Sequence, residues 1–329
     1  MTRTIRVHDI GGPEVLKIDN IDVPAPANGE VQFDVKAIGL NRAEAMFRSG
    51  RYFFKPEIPS KIGYEASGIV TAVGPDVKDI KAGDKISVSP IPDMKKYGVY
   101  GERVIVPAYS VIKNPANISF EEGAAAWMQY LTAYGALFDI ANMTKDDVVI
   151  ITAASSSVGL AAIQLCNLVG ATPIAVTRTQ EKVNALKEAG AKHVITLEED
   201  LPKKVMEITK GKGARIAFDP IGGKGVLKLA EAMSEKGIIF EYGALSPDHT
   251  PFPLFQAMSK NLTVRGYTLF DIISIPEKYE KAKKLILEGL SNGKLKPIIA
   301  AKTFKLDEMV DAHRYLESNQ QFGKIVVTV

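Results

Sequence analysis

The chain is poor in several residue types and patterns, and each shortage excludes something. Its single cysteine, Cys166, rules out an internal disulfide and a cysteine-built zinc cage. Such usage points to a reducing compartment, so a cytoplasmic location is expected. No stretch approaches the roughly 20 apolar residues that span a bilayer, and Met1 to Asp9 carries charge without the apolar core of a leader. Neither membrane insertion nor secretion is therefore expected. Charge of one sign is also scarce: 41 Lys and Arg stand against 38 Asp and Glu, a formal +3. No large field is available to hold nucleic acid or an anionic membrane surface, and basic and aromatic residues are not interleaved as in RNA-binding segments. Repeats, low-complexity tracts and flexible linkers are absent too, which leaves small soluble molecules as the expected partners.

What is present is enough chain for two cores, since domains run to about 100 to 200 residues. Glu30-Val31-Gln32-Phe33-Asp34-Val35-Lys36-Ala37 alternates strictly, so one face of a strand is buried and the other solvated. A second block, Ala66 to Val73, is closed by Gly74-Pro75, and a third lies around Ile86-Ser87-Val88 after the turn signal Gly83-Asp84. The first third thus reads as a small β-rich domain. From Glu121 to Leu137 the spacing predicts a helix. Beyond it, apolar strands at 148–152, 173–176, 193–196, 215–218, 237–242 and 262–266 alternate with helices such as 159–169 and 180–188. This is the rhythm of an α/β fold with a doubly wound parallel sheet. The tail (a helix over 276–290, a short strand, a helix over 306–316 and a strand over 324–328) lacks that rhythm and is assigned to the first domain. The expected division is 1–120 with 268–329, and 121–267.

The strongest local signal is the run Val149 to Gly159, VIITAASSSVG: an apolar strand, a turn of small residues, then a helix. In a dinucleotide-binding fold such a turn sets backbone amides and a helix N-terminus against a pyrophosphate. The glycines of the usual G-x-G-x-x-G pattern would fall on Ala154, Ser156 and Gly159, and only the last is glycine. Ser156 adds a Cβ where the backbone approaches phosphate, but its hydroxyl can donate to a phosphate oxygen. Ser155, Ser156, Ser157, Val158 and Gly159 are accordingly the expected phosphate contacts. About 20 residues on, an NAD enzyme would place an acid for the ribose hydroxyls. Here the second strand ends Val176-Thr177-Arg178-Thr179, with Lys182 one turn beyond Arg178. A guanidinium and hydroxyls suit a 2′-phosphate, so Thr177, Arg178 and Lys182 point to NADPH. The alternative is that Arg178 is a solvated loop charge.

The order of elements and the strings Gly63-Tyr64-Glu65-Ala66, Val73-Gly74, Ala82-Gly83-Asp84, Leu131-Thr132-Ala133-Tyr134 and Ala189-Gly190-Ala191 resemble the medium-chain dehydrogenase/reductase superfamily. The match is closest to its zinc-independent quinone oxidoreductases and covers essentially the whole chain. The resemblance implies a GroES-like catalytic domain formed by both chain ends and an inserted Rossmann domain, with the active site in a cleft. Zinc-dependent members carry a Cys near the Asn41 position and a His in a Gly-His-Glu string. Tyr64 stands in place of that His, and the four-cysteine structural loop is missing. With His8, His193, His249 and His313 scattered, no three ligands for a catalytic zinc are in view.

Without a metal, hydrogen-bond donors must polarise the acceptor oxygen. The resemblance gives this role, or the orienting of the cofactor, to Asn41 and Tyr52, against the plainer readings of a strand-end residue and a loop aromatic. Some relatives have a second tyrosine where Met46 stands, so no tyrosine-rich proton relay is expected. The resemblance also implies cofactor contacts from Thr132, Gly243, Ala244 and Gly323, and a substrate cleft including Tyr64 and Gln129. An adenine-flanking Asn-Tyr pair is missing near Ile195-Thr196. The expected function is NADPH-dependent reduction of quinones or of the conjugated double bond of α,β-unsaturated carbonyls, in a homodimer. The alternatives are a zinc-less alcohol or carbonyl reductase and a catalytically idle NADPH-binding redox sensor or RNA-binding protein.

Overall fold

The alternating segment becomes the long strand Glu30–Gly39, with Val31, Phe33 and Val35 buried. It organises a seven-stranded sheet, pairing antiparallel with Glu65–Val73, Arg103–Pro107 and the returning strand Val326–Thr328. The computed structural model describes all 329 residues in two units, Met1–Met128 with Lys296–Val329, and Gln129–Leu295. The first is the GroES-like unit built from both chain ends.

The second unit holds six parallel strands in the spatial order His193–Thr196, Thr172–Thr177, Val148–Ile151, Ala214–Asp219, Met233–Glu241, Thr263–Gly266. This is the Rossmann order. Chain direction across the sheet reverses beside Val148–Ile151, so the carboxyl ends of that strand and Ala214–Asp219 flank a crevice for ligands. Its sheet core includes Ile150, Ile174, Ala217 and Ile239, all fully buried. No helix of the protein is long and apolar enough to cross a membrane.

Two expectations about the chain's organisation need correction. The boundaries fall at 128/129 and 295/296, not at 120/121 and 267/268. Residues 268–295 belong with the second unit because the helix Pro276–Ser291 and its neighbour Phe270–Ile273 pack there; Lys278, for example, binds Asp139 at 2.7 Å. The single helix expected over Glu121–Leu137 is instead two, Phe120–Gly123 and Trp127–Tyr134, followed by a π-helical turn, Gly135–Ile140. Ala124, Ala125 and Ala126 between them are fully buried. The backbone there lies on the sheet so closely that a Cβ on Gly39 would come within 2.0 Å of the Ala124 carbonyl oxygen.

Candidate functional site

In the first unit the end of the strand Glu30–Gly39 leads through Leu40 into Asn41, which caps the helix Arg42–Arg48. Asn41 lies in a buried charged network. Lys324 donates from Nζ to Asn41 Oδ1 at 2.5 Å and forms an ion pair with Glu65, both side chains fully inaccessible. Glu65 also accepts from the backbone N–H of Met128 at 2.9 Å. Glu44 accepts from Asn41 twice, through the backbone N–H and through Nδ2 at 3.1 Å, and from the Tyr64 N–H at 3.0 Å. Burial drives the Glu44 carboxyl up to about 7, with Lys324 and these donors opposing. Glycine at position 39 leaves the room: a Cβ there would sit 2.8 Å from Lys324 Cε and 3.0 Å from Glu65 Cγ.

This geometry bears on the expectation for Asn41. Its oxygen is taken by Lys324, one amide hydrogen goes to Glu44, and Nδ2 also faces the Gly39 carbonyl at 3.4 Å. An amide has two donor hydrogens; Glu44 engages one, and the contact of the other with Gly39 is long for a hydrogen bond. One correction concerns tyrosine. Tyr64, buried at 1% exposure, donates its hydroxyl to the Tyr52 oxygen at 3.2 Å. A tyrosine pair therefore exists, built from Tyr64 where a partner had been sought at Met46. Tyr52 is half-buried, with its ring against Phe53 and Phe54. Gly323 has φ +88, and a Cβ there would strike the Ile298 carbonyl oxygen at 2.3 Å, so the local backbone already requires glycine.

The second unit assembles most of the residues expected around a dinucleotide. Ser156 caps the helix Ser157–Val169 by accepting from Gly159 N–H at 3.1 Å. Its hydroxyl hydrogen remains available to a phosphate oxygen. Gly159 is needed where it stands: a Cβ would meet Ala154 Cα and O at 2.7 Å. Ser155 and Val158, on either side of the cap, are half-buried. At the end of the second strand Thr177 is buried, Arg178 is exposed, and Lys182 reaches back to Ser155 Oγ at 3.3 Å. Desolvation, then the Arg178 charge, hold the Lys182 ammonium below its usual range, as two cations gathered on one spot require. A helix N-terminus, free hydroxyls and a cation pair fit a dinucleotide bearing an extra phosphate.

Thr132 and Gln129 are buried on the helix Trp127–Tyr134, and Gln129 Oε1 meets no donor. Gly243 and Ala244 are exposed just after Met233–Glu241, and a Cβ on Gly243 would lie 2.6 Å from the Pro220 carbonyl oxygen. Among His, Cys, Asp and Glu, no group of three converges to hold a metal. Cys166 is buried and its thiol is pushed up by desolvation, consistent with a packing role.

Sequence reading missed a carboxyl pair at the carboxyl end of this sheet. Asp219 and Glu241 are register partners on adjacent strands. Asp219 accepts from Thr152 Oγ1 and from Gly222 N–H at 2.7 Å, whereas both Glu241 oxygens are buried without a donor. Burial, reinforced by Asp219, drives the Glu241 carboxyl up to about 8. Since an unfolded glutamic acid titrates near 4.3, the folded chain holds the extra proton from there to about pH 8, and stability falls as pH rises through that window. Glu44 adds a slope of the same sign. Glu241→Gln is expected to raise the melting temperature more at pH 8.5 than at pH 5. Thermal melts showing an equal change at both pH values would contradict the assignment.

Comparison with known proteins gives the family and the fold. Residues 27–116 match the model of the alcohol dehydrogenase GroES-like domain, and residues 157–288 match that of zinc-binding dehydrogenases. The latter match holds without a zinc-ligating cluster in this chain. Quinone oxidoreductase 1 of Escherichia coli is 33% identical over 326 residues, 98% of each chain. The structure of Escherichia coli quinone oxidoreductase complexed with NADPH superposes with a TM-score of 0.91 at 31% identity, covering 99% of this chain and all of that one. A structure of an NAD-dependent alcohol dehydrogenase gives the same TM-score at 30% identity, covering 99% of both chains. The synaptic vesicle membrane protein VAT-1 homolog of Danio rerio is 32% identical over 322 residues, 93% of this chain; the chain spans 65% of that relative's length.

Proposed function

The chain belongs to the zinc-independent, quinone-oxidoreductase-like branch of the medium-chain dehydrogenase/reductase superfamily, and from that premise we propose that it is an NADPH-dependent oxidoreductase of quinones or α,β-unsaturated carbonyls. The observation that carries the proposal is the pairing of Lys182 with Ser155 beside Arg178 at the end of the second Rossmann strand. An NAD site would place an acid there. When bound, the nicotinamide supplies the hydride. Ser155, Ser156, Ser157 and the helix N-terminus hold the pyrophosphate, and Arg178 and Lys182 hold the 2′-phosphate. Thr177, Thr132, Gly243, Ala244 and Gly323 are proposed as further cofactor contacts, and Gln129 as a polar residue toward the acceptor. Asn41 keeps the catalytic unit's buried network in register, and Tyr52, the half-exposed phenol, donates to the acceptor oxygen.

A panel of quinones, enals and enones tests the reading by following NADPH oxidation. At least one acceptor class should be reduced, and for an enone the saturated carbonyl should be the product. An allylic alcohol instead would indicate a carbonyl reductase, and tight NADPH binding with no acceptor turned over would indicate an idle binding protein.

The same proposal includes a homodimer. Thr263–Gly266 is an edge strand, and Phe252, Leu254, Phe255 and Met258 beside it are exposed, Phe255 at 80%. An open edge next to apolar side chains favours association with a like edge across a twofold axis. Sedimentation at micromolar concentration should give about twice the 35.7 kDa chain mass, and Phe255→Glu should shift it toward monomer. A monomeric wild type would refute the dimer.

A further inference from the structure

We propose that Tyr64 is the positioning residue for proton delivery: by donating its hydroxyl to the Tyr52 oxygen, it turns the Tyr52 O–H away from the interior and presents it to the acceptor. This rests on the reading above in which Tyr52 serves the acceptor.

A phenol has one hydrogen to give, so the direction of the Tyr64 to Tyr52 bond decides where the second hydrogen points. Tyr64 is fixed. Its ring is 1% exposed, its backbone N–H is held by Glu44 Oε1 at 3.0 Å, and its ring meets that of Tyr52 edge-on, with centroids 6.4 Å apart at 62°. Tyr52 is half-buried, and its ring is held by Phe53 and Phe54 with centroids at 4.8 and 5.2 Å. Burial opposes ionisation of both phenols, and the charge of Glu44 adds to it. Tyr64 is the deeper of the two and its O–H reaches the Tyr52 oxygen, whereas the half-buried Tyr52 has an open side to which its own O–H can turn. The Tyr52 oxygen accepts, and its own hydrogen faces outward.

Beyond the hydride, which forms the new C–H bond, reduction of a conjugated carbonyl consumes one proton. The Tyr52 O–H bond breaks as its proton bonds to the acceptor oxygen. The negative charge left on Tyr52 is held by the Tyr64 O–H, and water at the half-buried ring returns the proton. The hydrogen bond thus strengthens as charge develops, which is when it aids the reaction.

Tyr64→Phe keeps the ring and removes only the donor. Turnover on the best acceptor is expected to fall roughly 3- to 10-fold, the worth of one hydrogen bond, with NADPH affinity unchanged. The loss should disappear in a Tyr52→Phe background, because Tyr64 acts through Tyr52. A second readout needs no cofactor: with ¹³Cζ-tyrosine labelling, the Tyr52 resonance, assigned by its absence in Tyr52→Phe, should titrate at higher pH in Tyr64→Phe than in wild type. Unchanged turnover in Tyr52→Phe would overturn the proposal through its premise. Impaired turnover in Tyr52→Phe, with an unmoved Tyr52 titration or an equal Tyr64→Phe loss in both backgrounds, would overturn the positioning role alone.

Discussion

Lys324→Ala is expected to cost about 3 to 5 kcal/mol of stability, the range for removing one partner of a buried ion pair. The ammonium is fully inaccessible, pairs with Glu65 and donates to Asn41. Without it, Glu65 keeps a buried charge with the Met128 N–H as its remaining donor, and Asn41 Oδ1 loses its donor. The penalty is chiefly that of the abandoned charge. The double variant Lys324→Met with Glu65→Gln should therefore lose less than Lys324→Met alone. The measurement is the thermal or urea midpoint of the transition that reports on the first unit. A single variant within about 1 kcal/mol of wild type, in the range of ordinary surface changes, would show that the network is not the keystone its burial implies.

The second large effect is on cofactor choice. Arg178→Ala should reduce the ratio of kcat/KM for NADPH over NADH by about 10- to 100-fold, roughly 1.5 to 3 kcal/mol for charge-assisted bonds to a phosphate. NADH turnover should change little. Because Lys182 shares the spot and is disfavoured as a cation by burial and by Arg178, the two substitutions should not be additive. A wild type that uses both cofactors equally would sink the 2′-phosphate assignment.

The residues proposed for the cofactor can be named from the sequence where they are consecutive. Ser155 to Gly159 and Thr177 to Lys182 each lie at the end of an apolar strand, and strand ends in a parallel sheet are where ligands bind. The catalytic unit was harder to read. Glu44 and Lys324 have no role that the sequence makes visible, because nothing in the local sequence says that residues 41, 65 and 324 meet. Gly39 was the available signal, a glycine at the end of a strand whose missing Cβ makes room for two charged stems. The Asp219–Glu241 pair was hidden for the same reason. Each acid ends its strand, and only their register makes them neighbours.

By itself the sequence determined the secondary-structure rhythm, the α/β class, the lack of a zinc ligand set and the cation-bearing second strand, because periodicity, ligand count and charge type are local properties of a chain. Tertiary structure alone decided what Asn41 can donate, which tyrosine partners Tyr52, and where the units divide. Those depend on which donors and charges fold into one small volume. In a water-poor interior, each hydrogen already committed to Glu44 or Tyr52 is no longer available to a substrate.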